Sequence, residues 1–414
     1  MSESTLVQVS EPGLPPVPAR IRADFPLLSR DIDGHRLVYL DSAATSLTPV
    51  PVVEEISRFY TEVAANIHRG KHVLSEQASD DFENVRMKVA QYTGFRGNEV
   101  VFTANTTASM NLVASGLPLD PDDLVLVPAD GHHSAILPWR DRARVAWLPT
   151  DGHGVVDLDR YAELLSERPA VVVLSHCSNV SGAYAPVETM SRMAKEAGAI
   201  TVLDAAQSIG HRRPKHKTID FLAFSAHKML GPTGLGVLCG RYDHLARLTP
   251  PALGGGVVDW VDEQRHELRK LPHRFEAGTP HIAGVYGLGA AIDYLYRLGL
   301  DTVAEHDRAL GRALVEQAST RPYARILGPT EGDRGAILSL AIDGLHSMKP
   351  VAQILSDSYG IMCRSGHMCA QPFVDRFTDD EILRASGYIY NDLDDVHAFF
   401  TALDEIVGAL GARS

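Results

Sequence analysis

Between residues 99 and 240 the chain alternates short apolar runs with helix-spaced segments, and this rhythm constrains the fold more than any other feature. Val100-Val101-Phe102, Leu124-Val125-Leu126-Val127, and the runs at 144–148, 170–174, 200–203, 221–224 and 236–239 read as strands. Several are near-continuous apolar stretches, which is the pattern of strands buried on both faces of a mainly parallel sheet flanked by helices. In such α/β sheets ligands collect outside the carboxyl ends of the strands. The polar residues that follow each run are therefore the first candidates for chemistry.

The most pointed of these is the run Asp220 to Gly236, where an apolar strand delivers Ser225-Ala226-His227-Lys228 into a turn rich in Gly and Pro. Burial lowers a lysine pKa and frees the amine to form a Schiff base with a carbonyl cofactor. A solvated lysine at a strand end is the plainer reading of the same residues. Thr106 and Thr107 open a helix after a strand, where free N–H groups favour an anion, although threonine also caps helices with no ligand. Leu203-Asp204 sets a carboxylate at another strand end, with Gln207 three residues on. Such an acid can keep a pyridine nitrogen protonated or can merely cap a helix. His132 follows a further strand and can stack on a flat ring while relaying a proton. Each item has a bland explanation, but their co-occurrence at successive strand ends does not.

Outside this region the spacing predicts helices over 52–60, 75–92, 282–298 and 302–319. A short helix is expected to begin in 21–28, and short strands over 37–40 and 360–364. Residues 1–20, with Pro12, Pro15, Pro16 and Pro18, read as an extended or disordered arm. Residues 21–300 form the expected large domain and 301–414 a smaller α+β domain, with the N-terminal segment free to pack on the small one.

At 414 residues the chain can bury a large core, and its net charge of −13 with scattered basic residues gives no footprint for nucleic acid. No stretch is long and apolar enough to predict a membrane span, and the start of the chain lacks a secretory pattern, so a cytoplasmic location is expected. Cys177, Cys239, Cys363 and Cys369 are too few for a disulfide scaffold, and the C-x5-C pair lacks the spacing of a zinc site, so no metal is expected.

Five further stretches carry a family likeness: Leu40-Asp41-Ser42-Ala43-Ala44, Ile67-His68-Arg69-Gly70, Asn111-Leu112-Val113-Ala114, Arg274-Phe275-Glu276-Ala277-Gly278-Thr279-Pro280, and Arg364-Ser365-Gly366-His367-Met368-Cys369-Ala370. With the strand-end set they resemble the class V, fold-type I pyridoxal-phosphate enzymes over about 21–410. Within these they resemble the SUF-type cysteine desulfurases and selenocysteine lyases. The resemblance implies a mainly parallel seven-stranded sheet and pyridoxal 5'-phosphate as cofactor. Lys228 would be its Schiff-base lysine, Asp204 would meet the ring nitrogen, Gln207 the ring hydroxyl, and His132 the ring face. Thr107, Ser225 and His227, beside Thr106, would hold the phosphate, with Thr279 reaching across from a partner subunit.

It further implies that Asn179 and Arg384 hold the substrate carboxylate, that Arg364 lies beside the active-site loop, and that His68 comes from the partner in an obligate homodimer. Cys369 would be the nucleophile that takes sulfur from L-cysteine, forming a persulfide that passes to an acceptor protein for iron–sulfur cluster assembly or a specialised pathway. The chain departs from the pattern at Ala108-Ser109, at Gly131, in the loop 179–184 and between Gly256 and Arg274. These departures touch the rim and leave the acceptor and substrate open. A selenocysteine lyase or other C–S lyase is the rival enzyme reading, and a catalytically silent scaffold is the rival from another class. An epimerase is disfavoured because it needs no sulfur acceptor such as Cys369.

Overall fold

The computed structural model describes residues 19–214 and 217–411. Apart from its last two positions, the expected N-terminal arm falls outside them. Seven strands build the main sheet, in the order Val100–Thr103, Gly236–Gly240, Phe221–Ser225, Ile200–Asp204, Val171–Ser175, Leu124–Val127, Arg144–Trp147. Six run in one direction, and Gly236–Gly240 alone is antiparallel to its neighbours. Phe221, Leu222, Ala223 and Phe224 are all buried, as a strand covered on both faces requires. The register places Ser175 opposite Asp204, and Gly236 opposite both Ser225 and Thr103, so the polar strand ends line up along one edge.

A side chain at Gly236 would run into the Asn105 backbone at 2.5 Å, so glycine lets the segment that enters the Thr106–Gly116 helix lie close over the sheet. The Ile282–Leu298 helix uses its small residues in the same way. A Cβ added at Gly287 would meet Ile56 at 2.8 Å, and one at Gly289 would meet Val85 at 2.7 Å. The Val50–Arg58 and Val73–Thr93 helices thus pack closely against it.

The C-terminal region is a four-stranded antiparallel sheet, ordered Ala324–Ile326, Ile337–Ile342, Ile382–Ser386, Arg364–Gly366. Its core joins Leu310, Leu314, Leu340, Leu355, Phe399, Phe400 and Leu403. Val38 and Leu40 belong to that core too, and Val38–Tyr39 pairs in parallel with Ile361–Met362. The N-terminal segment is threaded between the small sheet and the carboxyl edge of the large one.

Two local expectations change. The helix expected within 21–28 is split into an α-helix at Ala19–Ala23 and a 3-10 turn at Pro26–Ser29, because Pro26 disfavours helical backbone at Phe25 before it. The single strand expected over 360–364 becomes two, Ile361–Met362 and Arg364–Gly366, which pair with different partners on either side of Cys363. The segment between Gly256 and Arg274 carries an exposed hairpin, Val258–Val261 with His266–Leu268, whose short, mostly exposed strands leave no buried face to mark them in the sequence. Among the described residues no helix is long and apolar enough to cross a membrane.

Candidate active site

The carboxyl edge of the sheet opens into a cleft of about 490 Å³ that brings together Thr106, Thr107, His132, Asn179, Asp204, Gln207, Ser225, His227, Lys228, Arg364, Cys369 and Arg384. Twelve of the fourteen sequence-predicted site residues meet here. The other two, His68 and Thr279, line a separate recess of about 230 Å³ together with Arg69, Arg269, His273 and Glu276. Within one chain the structure does not bring them to Lys228.

Lys228 ends a 3-10 turn, Ala226–Lys228, directly after the Phe221–Ser225 strand. Burial pulls its amine down to about 8, while the carboxylate of Asp204 acts in the opposite direction. Asp204 is buried at the end of its own strand, and burial pushes its pKa up. Its Oδ1 accepts from the Ala206 N–H at 2.9 Å. The His227 carbonyl accepts from the Ser46 N–H at 2.9 Å, tying the lysine turn to the N-terminal segment. Gln207 donates Nε2 to the Ala43 carbonyl at 2.8 Å, which anchors the same segment over the cleft.

The Thr106–Gly116 helix is capped by Asn105, whose Oδ1 accepts from the Ala108 N–H at 2.9 Å. Capping therefore does not explain the threonines. Thr106 instead donates its N–H to Ser225 Oγ at 2.8 Å, and the two hydroxyls lie 2.7 Å apart. Hydroxyls and a helix N-terminus thus converge across the Gly236–Gly240 strand, an arrangement suited to a phosphate.

His132 has a second duty that the sequence did not reveal, as the cap of the His133–Arg140 helix. Its Nδ1 accepts from the Ser134 N–H at 3.1 Å, so the proton of the neutral ring sits on Nε2. Burial, reinforced by Lys228, lowers the imidazole to about 4 and keeps it uncharged near neutrality. His227 is lowered to about 4 for the same two reasons.

Opposite this wall stand two arginines on neighbouring strands, Arg364 and Arg384, paired across the small sheet. Both reach Asp41. Arg364 contacts it through Nε at 3.1 Å and Nη2 at 2.9 Å, and Arg384 through Nη2 at 3.4 Å. Arg384 also donates Nη1 to the Asn179 carbonyl at 2.9 Å. It is buried, its Nε has no partner, and burial lowers its guanidinium to about 10. A buried cation with an unused donor is a ready receptor for a carboxylate. Asp41, which holds both arginines, is the residue that sequence reasoning overlooked. It lies within a stretch singled out there, but its partners are more than 300 residues away in sequence.

Cys369 is exposed, whereas Cys177 and Cys239 are buried and Cys363 is partly so. Burial raises the thiols of Cys239 and Cys363 to about 12. Cys177 also lines the cleft, but its Sγ faces the Gly182 carbonyl at 3.5 Å. Met368 and Cys369 both take left-handed backbone, with φ of 52° and 54°. Their carbonyls are held by the segments that follow two strands of the main sheet, Met368 by Asn179 Nδ2 at 2.8 Å and Cys369 by the His133 N–H at 2.9 Å.

Donors of this kind fit pyridoxal 5'-phosphate. The lysine is deprotonatable, a buried carboxylate sits on the floor, a neutral imidazole stands in the wall, and hydroxyls with a helix N-terminus lie at one end.

Comparison with known proteins agrees with that geometry. The model of the family described as Aminotransferase class-V matches residues 38–399. A probable cysteine desulfurase of Streptomyces coelicolor is 40% identical, the match covering 97% of this chain and 99% of that protein. The apo structure of a cysteine desulfurase from Thermococcus onnurineus superposes with a TM-score of 0.89 at 37% identity, covering 95% of this chain and 98% of the other. An S-sulfonic acid form of a cysteine desulfurase from Escherichia coli gives 0.85 at 33%, covering 94% and 98%.

Proposed function

Since this chain belongs to the class-V aminotransferase family and is a pyridoxal-phosphate-dependent cysteine desulfurase, we propose that Cys369 is the thiol that receives sulfur and that Arg384 and Asn179 seat the substrate. The observation that carries the reading is the position of Cys369. It is the exposed cysteine of the four, and two backbone anchors hold it at the cleft that contains Lys228.

When bound, pyridoxal phosphate supplies an electron sink next to the substrate's α-carbon. The cofactor would be held by Thr107, Ser225 and His227 at its phosphate end, by Asp204 at the ring nitrogen and by Gln207 at the ring hydroxyl. Arg384 offers its unpartnered Nε, with Arg364 alongside, to the α-carboxylate of L-cysteine, which fixes the amino acid by charge-assisted hydrogen bonds. Lys228 Nζ, with a pKa near 8, is poised to take the α-proton and return it. His132 presents a neutral ring that exchanges a proton through Nε2.

The Cys369 thiolate then attacks the substrate sulfur. One S–S bond forms and the substrate C–S bond breaks, its electron pair passing to carbon, which is protonated. The balance is one protein thiol and one L-cysteine giving one protein persulfide and one L-alanine, after which the exposed persulfide is handed to an acceptor protein.

His68 and Thr279 complete the proposal. Because their recess is separate from their own chain's cleft, they serve the cleft of a second copy, in a homodimer with composite sites. The direct test of the nucleophile is mass spectrometry of the protein after a short exposure to L-cysteine, alongside an alanine assay. The wild type gains a sulfur atom on the peptide containing Cys369, and Cys369→Ser gains none there and loses alanine production. Unchanged turnover in Cys369→Ser would show that another group receives the sulfur.

A further inference from the structure

We propose that His68, Glu83 and His273 form a binding site for a transition-metal dication of the zinc class, at the recess beside Thr279. Each residue offers one ligand atom, and the three atoms lie within 4.8 Å of one another. His68 Nε2 stands 3.7 Å from Glu83 Oε1, too far for a hydrogen bond. A tetrahedral ion with bonds near 2.0–2.1 Å would space its ligands about 3.3 Å apart, so a small closure completes the site.

The three ligands come from separate elements: the turn after Ile67, the Val73–Thr93 helix and the His273–Phe275 turn. No sequence spacing announces such a set. Each is held in place by its surroundings. His68 adopts φ of 71°, donates its N–H to Ser79 Oγ at 2.8 Å, and packs edge-on against Phe82 and His273. Arg86 fixes both oxygens of Glu83, through Nε to Oε2 at 2.8 Å and Nη2 to Oε1 at 3.2 Å. Independently, His273 Nδ1 is buried with no hydrogen-bond partner and lies 3.7 Å from Glu276 Oε2. A carboxylate behind a histidine nitrogen is the usual outer support of a metal-bound imidazole.

Charge is the main opposing factor. Arg86 sits against Glu83 and pairs with Glu276 at 2.6 Å, while Arg69 reaches the Val258 carbonyl at 3.4 Å and Arg269 faces Asp259 at 3.8 Å, so the cations that line the recess are each turned to another partner. Arg269, which also lines the recess, turns its Nη1 to the Gly256 carbonyl at 3.2 Å. Two imidazoles and one carboxylate select zinc, nickel or copper over magnesium or calcium.

The test uses the holoenzyme stripped with a chelator, in a Cys369→Ser background so that the exposed thiol cannot bind metal. Equilibrium dialysis against zinc, followed by elemental analysis, is expected to give one ion per chain, unaffected by excess magnesium. His273→Ala and Glu83→Gln are each expected to weaken binding at least tenfold. Zinc is also expected to raise the thermal midpoint of the parent and not of the variants. Should either variant misfold by near-UV circular dichroism, the other is read. No zinc uptake by the parent at micromolar concentration, or equal uptake in a folded His273→Ala or Glu83→Gln protein, overturns the site.

Discussion

Asn179 donates its side-chain amide to the main-chain carbonyl of Met368 at 2.8 Å, across 189 residues of sequence. This contact and the His133 N–H bond to Cys369 hold two successive non-glycine residues in left-handed backbone. That conformation costs about 1–2 kcal/mol per residue, and each hydrogen bond contributes about 0.5–1.5 kcal/mol. The two hydrogen bonds therefore offset much of the strain, helped by the burial of Met368 and Ala370. The thiol is presented by a loop whose shape depends on the opposite wall of the cleft.

Asn179→Ala should release that loop. Single-turnover persulfide formation on Cys369 is expected to slow about tenfold, equivalent to about 1.4 kcal/mol. Because Asn179 is also proposed to contact substrate, the positioning role is read without substrate, as faster alkylation of Cys369 by iodoacetamide. An alkylation rate equal to that of the wild type would mean that the loop holds itself.

Arg384 joins three parts of the site, with Nη1 on the Asn179 carbonyl, Nη2 on Asp41 and Nε free. A lysine cannot reproduce that planar fork. Arg384→Lys is expected to raise KM for L-cysteine at least tenfold while kcat falls less, the signature of lost ground-state binding. A kcat effect with unchanged KM would move Arg384 from seating the substrate to the chemical step.

The lysine makes a pH prediction whose sign follows from its surroundings. Burial penalises the cation, so the amine is lowered from 10.5 to about 8 despite the opposing pull of Asp204. The neutral, nucleophilic form therefore grows as pH rises through about 8, from roughly a tenth of molecules at pH 7. Apoprotein given pyridoxal 5'-phosphate and trapped with borohydride should gain the cofactor's mass on Lys228 at a rate rising about tenfold between pH 7 and pH 9. A midpoint near that of an ordinary lysine would contradict the reading.

Acid should weaken the pair beneath the second recess. Burial alone would raise the Glu276 carboxylate, but Arg86, His273 and the Phe102 N–H outweigh it and hold the group down at about 2. A depressed carboxylate contributes stability above its unfolded value of 4.5 and loses it as pH falls from there toward 2. Glu276→Gln leaves Arg86 buried with a lost partner and is expected to cost about 3–5 kcal/mol at neutral pH, measured by urea unfolding. Its deficit relative to wild type should shrink below pH 4. A constant deficit would assign the loss to packing.

Much of the cleft was legible because strand period and strand-end polarity are local properties. Ser225, Asp204 and Thr106 follow apolar runs; the Asp204 and Ser225 strands are parallel neighbours, and Thr106 meets Ser225 across the antiparallel Gly236–Gly240 strand. Asp41 was not legible as a functional group, because its meaning lies in Arg364 and Arg384, 323 and 343 residues downstream. The capping role of Asn105 is legible in the sequence, since asparagine outranks threonine at that position, and it leaves the threonines free for a ligand. The Val258–Val261 hairpin was hidden because its strands are short and mostly exposed, with no buried face to impose alternation.

The proposed composite site allows a test that neither variant alone provides. Lys228→Ala lacks the amine of its own cleft, and His68→Ala lacks a residue that lies in the other recess of the same chain. If His68 serves a partner's cleft, a heterodimer of the two variants contains one cleft with both residues intact and one with neither. Random pairing makes half of the dimers mixed, each with one working site of two, so co-refolded or co-expressed variants should recover about a quarter of wild-type alanine production. Neither variant refolded alone should do so. Recovery would have to vanish when the chains are separated by dilution and each homodimer is assayed apart. Absence of any recovery in mixtures verified to contain heterodimers would place His68 in the service of its own chain.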